Sequence, residues 1–169
     1  MKVNAEVEPV YILGDFSVNP VDKGWEIEAP ASAYTAGSWK TQGLPFYSWG
    51  VSYSKEFNVQ NSDGKWEVTL GNWSGTMAEV SVNGQPGTII AFPPYNSDIT
   101  GLIKKGINKV DIKVIGSLKN LLGPHHNNPR PGLVSPWIWR NVKSYPSGKD
   151  YQMIDYGLFE DFTLLHCIQ

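Results

Sequence analysis

Six windows of this chain alternate apolar and polar side chains with a period of two, the period of strands with one buried and one wet face. They are residues 7–16 (VEPVYILGDF), 51–59 (VSYSKEFNV), 65–73 (KWEVTLGNW), 77–84 (MAEVSVNG), 108–117 (NKVDIKVIGS) and 157–166 (GLFEDFTLLH). Each is bounded by Gly, Pro, Asn, Asp or Ser, which predicts short strands joined by turns in the manner of a β-sandwich. Composition agrees: aromatics reach 12%, with 17 Gly and 12 Pro, while charged residues are only 18%, a mixture that suits strands and turns better than helices. At 169 residues the chain is expected to form one domain, 1–169, able to hide roughly 70% of its unfolded surface.

The turns can be read locally. NSDG at 61–64 and VNGQPG at 82–87 predict hairpin turns, because Asp-Gly and Asn-Gly accept positive φ. In YNSDITGLIKKGINKVDIKV, 95–114, Ser97 and Asp98 are N-cap types. Ile99, Leu102 and Ile103 supply one apolar turn before Gly106, which suits the left-handed position that stops a helix. A helix of one or two turns is therefore expected, leading into a strand whose Val110, Ile112 and Val114 face the core and whose Asp111 and Lys113 face water.

Two stretches, 29–50 and 120–141, resist assignment to strands. They are long, interrupted by proline and rich in aromatic, Asn, His and Arg side chains, and loops of this length in a compact domain usually bind something or pack on another domain.

Several kinds of chemistry are disfavoured. A net charge of -2 gives no basic field for a phosphate backbone, so no nucleic-acid partner is expected. No apolar run approaches the roughly 20 residues of a membrane span, and Met1 is followed by no export signal. The single Cys167 forms no internal disulfide and places the protein in no redox compartment. His125 and His126 are adjacent and point apart in an extended chain, and with His166 and Cys167 they make no metal-ligand pattern, so no metal is assigned. Calcium held by loop carboxylates and carbonyls needs no motif and is left open, without support; no cofactor is expected. A G-x-S-x-G elbow and P-loop spacing are both lacking. Asp15, Glu26, Glu28, Asp155, Glu160 and Asp161 offer carboxylates with nothing to pair them for glycoside hydrolysis. No catalytic residue is assigned, and a self-contained small enzyme survives only if His125, His126 and nearby acids form a site.

Aromatic side chains remain. Sugar rings stack their C–H faces on Trp and Tyr and bond their hydroxyls to amides and Arg. Trp39, Tyr47 and Trp49 in the first loop, and Asn127, Trp137, Trp139, Arg140 and Asn141 in the second, offer that mixture. The bland alternative is that the tryptophans are core, since Trp137 and Trp139 share one face on alternation.

The order of motifs resembles a known family. Gly43, Pro45, Phe46, Tyr47 and Gly50 lead into Tyr53 and Phe57, then a strand reaching Val82-Asn83-Gly84, then Asp98-Ile99-Thr100 through Gly106 and Asn108. This is similar to the galactose-binding-like jelly-roll domains of large glycoside hydrolases of the β-galactosidase and β-glucuronidase class, and more so to the C-terminal jelly roll of α-L-rhamnosidase-like enzymes. The likeness covers about 14–117, and SLKNLLGPHH at 117–126 is also similar to the rhamnosidase-like tails. It implies an all-β jelly-roll sandwich with one short helical turn and two long loops. In it Asp98 caps the turn, Gly106 takes a conformation that Cβ opposes, and Asn108 bonds backbone. It implies an accessory module of a larger enzyme, joined to its partner near Met1 to Glu8, and secreted or periplasmic as its relatives are. The expected partner is carbohydrate, the catalytic domain of the same polypeptide, or both. Trp49, Tyr47, Trp137 and Trp139 would stack, and Arg140, Asn127 and Asn141 would bond hydroxyls. The competing reading is a purely structural β-sandwich whose aromatics pack on a neighbouring domain.

Overall fold

The computed structural model describes residues 10–123, 125 and 147–167. Eleven strands among these residues build an all-β sandwich. The larger sheet has the order β3 (Gly50–Val59), β9 (Gly106–Ile115), β6 (Met77–Val82), β7 (Gln85–Ile90). The smaller sheet runs β11 (Thr163–Cys167), β4 (Lys65–Thr69), β8 (Asn96–Asp98). Two ribbons complete the fold, β1 (Ser17–Val21) with β2 (Gly24–Glu28) and β5 (Trp73–Ser74) with β10 (Gly157–Leu158). All pairings are antiparallel.

The period-two pattern decides what is inside. Val110, Ile112 and Val114 of β9 are fully buried and meet Ala78, Val80 and Val82 of β6 together with Val68 and Trp66 of the facing sheet. The two edges of the sandwich are drawn together by side chains: Phe57 of β3 packs on Phe162 at 6.0 Å and Lys55 pairs with Asp161 at 3.0 Å, while Thr88 of β7 bonds Ser97 of β8.

Several expectations are corrected. Residues 10–16 form no strand; β1 starts at Ser17, and Val10 to Leu13 lie exposed with no sheet partner to reward their alternation. Residues 7–9 of that window lie outside the described residues. The NSDG segment is a turn, with the Asp63 amide donating to Asn61 Oδ1 at 3.0 Å and Gly64 at φ 84°, yet it joins β3 to β4 in the other sheet and makes no hairpin. The VNG turn is a hairpin, but Gln85, Pro86 and Gly87 already belong to β7, an edge strand where proline removes no ladder bond. Ser97 and Asp98 lie in β8, and the expected helix is a single 3-10 turn, Thr100–Leu102. Asp98 Oδ1 still accepts from the Thr100 amide at 2.9 Å. The Thr100 hydroxyl and amide, helped by Lys65, hold its carboxyl below the ordinary carboxylate range.

Gly106 has φ 97° and a Cβ there would meet nothing within 4 Å, so its requirement is purely conformational. Gly106→Val is expected to destabilise by more than about 1 kcal/mol, because a β-branched residue tolerates positive φ poorly; a urea midpoint equal to wild type would contradict this.

A cleft at the end where the loops gather

The strand registers sort the connections onto two ends. β3 starts, β9 ends and β6 starts together, since Gly50 and Met77 both oppose Ile115; β4 ends where β8 and β11 start, at Thr69. The connections 29–49, 70–76, 91–95 and 159–162, with the described parts of the one after β9, 116–123 and 147–156, therefore lie at one end of the sandwich. Among the described residues, the opposite end carries the turns near 60–64, 83–84 and 99–105. Long connections at one end of a rigid sandwich are where such folds carry function.

The first long loop is built around Trp39. Its indole is 2% exposed and donates from Nε1 to the Tyr53 hydroxyl at 2.8 Å, and the same hydroxyl accepts the Leu158 amide at 3.2 Å. Backbone bonds from Trp39 N to Tyr156 O and from Leu44 N to Trp39 O, both within 3.0 Å, close the loop on either side. Trp39 is a core residue and takes no part in a surface site. Gln42 ties Thr35 and Ser38 to itself through its amide, and Gly43, at φ 84°, passes so close to Ser17 that a Cβ would stand 2.8 Å from the serine side chain.

Asp155 anchors this loop from the other side of the chain. Ser38 Oγ donates to it at 2.6 Å and Lys40 Nζ lies 3.0 Å away. Burial alone would raise the Asp155 carboxyl, but the Ser38 hydroxyl and the Lys40 ammonium outweigh it and hold it below its ordinary value. Because the folded-state value is the lower one, the stabilisation is complete above the unfolded value of about 3.9 and is lost as pH falls through the folded one. Both side chains are a third or more exposed, so the effect is small, about 1 kcal/mol or less. Urea midpoints of wild type and Asp155→Asn are expected to differ at pH 7 and to converge towards pH 2; a difference that persists undiminished at pH 2 would contradict this.

With residues 35–44 fixed and Pro45 buried, Tyr47 and Trp49 are presented outward. Phe46, Tyr47, Ser48 and Trp49, with Ile12, Leu13, Gly14 and Phe16 and Leu121, line a cleft of about 250 Å³. Trp49 is 66% exposed and Tyr47 37% exposed. Tyr47 packs its ring edge on Trp39 at 6.0 Å and donates its hydroxyl to the Gly50 carbonyl at 3.3 Å. The structure thus brings Tyr47 and Trp49 together on one open surface. The other predicted site residues, Asn127, Trp137, Trp139, Arg140 and Asn141, lie outside the described residues, as does His126.

His125 and His166 are both tied into the fold. His125 donates from Nε2 to the Asn120 carbonyl at 2.7 Å and stacks on Tyr151, within an aromatic cluster that includes Trp25 and Phe46. His166 lies flat on Trp66, centroids 4.0 Å apart, and bonds the Asp63 carbonyl at 2.7 Å. Among the described residues no three His, Cys, Asp or Glu side chains gather as metal ligands. The segment 117–120 has a role the sequence did not disclose: the buried Asn120 exchanges two 2.8 Å bonds with the Ile154 backbone, Ser117 bonds the Tyr156 hydroxyl, and Lys119 Nζ donates to the Gln152 carbonyl. Burial holds the Lys119 ammonium below the ordinary lysine range. Lys113 is a further residue that sequence reasoning missed; its Nζ stands 5.4 Å from the centroid of the Trp49 ring, and nothing local in the sequence relates the two.

No protein-family model matches the chain. A curated relative, the putative β-glucuronidase of Formosa agariphila, is 28% identical across 78% of this chain and 14% of its own length. The structure of the rhamnosidase from Novosphingobium sp. PP1Y superposes on 96% of this chain and 16% of its own, with 21% identity and a TM-score of 0.52. The β-D-glucuronidase of Dictyoglomus thermophilum overlaps 60% of this chain and 18% of its own at 22% identity and a TM-score of 0.38. The expected resemblance to domains of large glycoside hydrolases therefore stands, and the rhamnosidase comparison shows the shared β-sandwich fold. This chain spans only 14% to 18% of the length of these proteins.

Proposed function

We propose that the chain serves as a non-catalytic, galactose-binding-like module of a glycoside hydrolase, and that it takes up carbohydrate on Trp49 and Tyr47. The observation that carries this reading is the exposed indole of Trp49 at the mouth of an open cleft, on the end of the sandwich where the loops gather. A sugar ring laid on it would bury a C–H face against the π surface, while Ser48 and loop carbonyls offer partners for hydroxyls. In the same reading Trp137 and Trp139 add stacking area, and Arg140, Asn127 and Asn141 bond hydroxyls. The relatives support it in kind, since the putative β-glucuronidase and the rhamnosidase are both many times longer than this chain.

A second reading rests on a different observation. Ile12 and Leu13 also line the cleft, and Leu13 is 91% exposed, which suits packing against an apolar surface of a neighbouring domain. In native gels cast with soluble plant-wall polysaccharides, the carbohydrate reading predicts retarded migration of the wild type and free migration of Trp49→Ala. Unretarded wild type in every gel would overturn it and leave the docking reading. Because Trp49 is mostly exposed, its replacement is expected to cost less than about 1 kcal/mol of stability, so loss of retardation would not reflect unfolding.

A further inference from the structure

We infer that Lys113, admitted by Gly50 and held by Glu79, is a positioning residue that fixes the Trp49 indole as a one-sided platform. The inference rests on the reading of Trp49 as the binding aromatic, but its geometry stands apart from any ligand. Trp49 precedes β3 and is 66% exposed; ordering an exposed side chain on binding costs affinity. Lys113 sits on the wet face of β9, opposite Ser52 on one side and Glu79 on the other.

From there its stem crosses β3 at Gly50. A Cβ on Gly50 would stand 2.6 Å from Lys113 Cε and 3.0 Å from Cγ, with Ile115 Cδ1 at 2.7 Å beside it. The missing side chain is the channel through which the lysine reaches the indole. Its Nζ then lies 5.4 Å from the Trp49 centroid and 3.3 Å from Glu79 Oε2. An ammonium over an indole is attracted by the ring quadrupole, and the carboxylate keeps the ammonium in place. With the cation against the indole on one side, a saccharide ring is directed to the other face. This gives Gly50, part of the motif that leads into β3, a steric reason to be glycine.

The test isolates Trp49 as the difference between each protein and its Trp49→Phe counterpart, read as time-resolved fluorescence anisotropy. Lys113→Met keeps the stem and removes the charge; it is expected to lower the residual anisotropy of Trp49 with little change in the melting temperature, and Lys113→Arg is expected to restore it. Glu79→Gln and Gly50→Ala should act in the same direction, so the inference stays testable if one variant fails to fold. Residual anisotropy equal to wild type in Lys113→Met, or in Glu79→Gln should that variant not fold, overturns it. In titrations with L-rhamnose and D-galactose, the loss of a cation–π contact of this kind should raise Kd by about two- to fivefold. A loosened Trp49 in a wild-type background that answers neither sugar would uphold the positioning role and count against the carbohydrate reading alone.

Discussion

Trp39→Ala is expected to remove about 3–5 kcal/mol of stability, the range for deleting a buried large aromatic side chain, out of the 5–15 kcal/mol that domains typically possess. The indole is 2% exposed and packs against Tyr47 and Tyr156, and its Cζ3 comes so near Gly116 that a Cβ there would stand 3.1 Å away. Its removal opens a cavity between the first loop and the end of the larger sheet. It also leaves the Tyr53 hydroxyl with only the Leu158 amide as donor. Because the indole also packs against Tyr47 of the same loop, the loop that presents Tyr47 and Trp49 should loosen together with the core. Urea denaturation gives the measurement; a loss below about 2 kcal/mol would mean that Trp39 is not the nucleus of this loop.

Asn108→Ala should cost about 3 kcal/mol, since burying several polar groups without partners carries about 1–3 kcal/mol for each in full and less where water reaches them. Asn108 is fully buried and uses both ends of its amide. Nδ2 donates to the carbonyls of Lys104 at 2.6 Å and Gly106 at 3.0 Å, while Oδ1 accepts the Lys104 amide at 3.0 Å and Asn83 Nδ2 at 2.9 Å. Asn83 in turn accepts the Lys109 amide on its Oδ1 at 3.1 Å. The Val82-Asn83-Gly84 turn and the start of β9 at Gly106 to Asn108 are thus one hydrogen-bonded unit at the end of the sandwich opposite the cleft. Asn83→Ala should therefore show coupling with Asn108→Ala in a double-mutant cycle, the two costs together being less than their sum. Strict additivity would contradict a shared network.

How far the sequence could be read depends on whether the deciding interaction is local. The buried face of β9 follows from alternation alone, and the Asn83-Gly84 hairpin from its two positive-φ residues. The ribbon β1–β2 escaped because Pro20 lies inside it, and in isolation SVNPVDKGWEIE reads as turn. β8 reads as the start of a helix because Ser97 and Asp98 suit both a cap and an edge strand; pairing with β4 decides between them, and that pairing is long-range. At the cleft, the exposure of Trp49 and the burial of Trp39 could not be separated by residue type. Nor could the Lys113 contact be foreseen, because it exists only once β3 and β9 are in register.

The most direct measurement is the fluorescence difference between wild type and Trp49→Phe, followed while L-rhamnose, D-galactose and plant-wall oligosaccharides are added in turn. A saturable change in that difference, absent from a Trp49→Ala control, is what the carbohydrate reading predicts. A flat response to every sugar, with the protein folded and Trp49 still exposed, would contradict it and assign the cleft to packing against another domain.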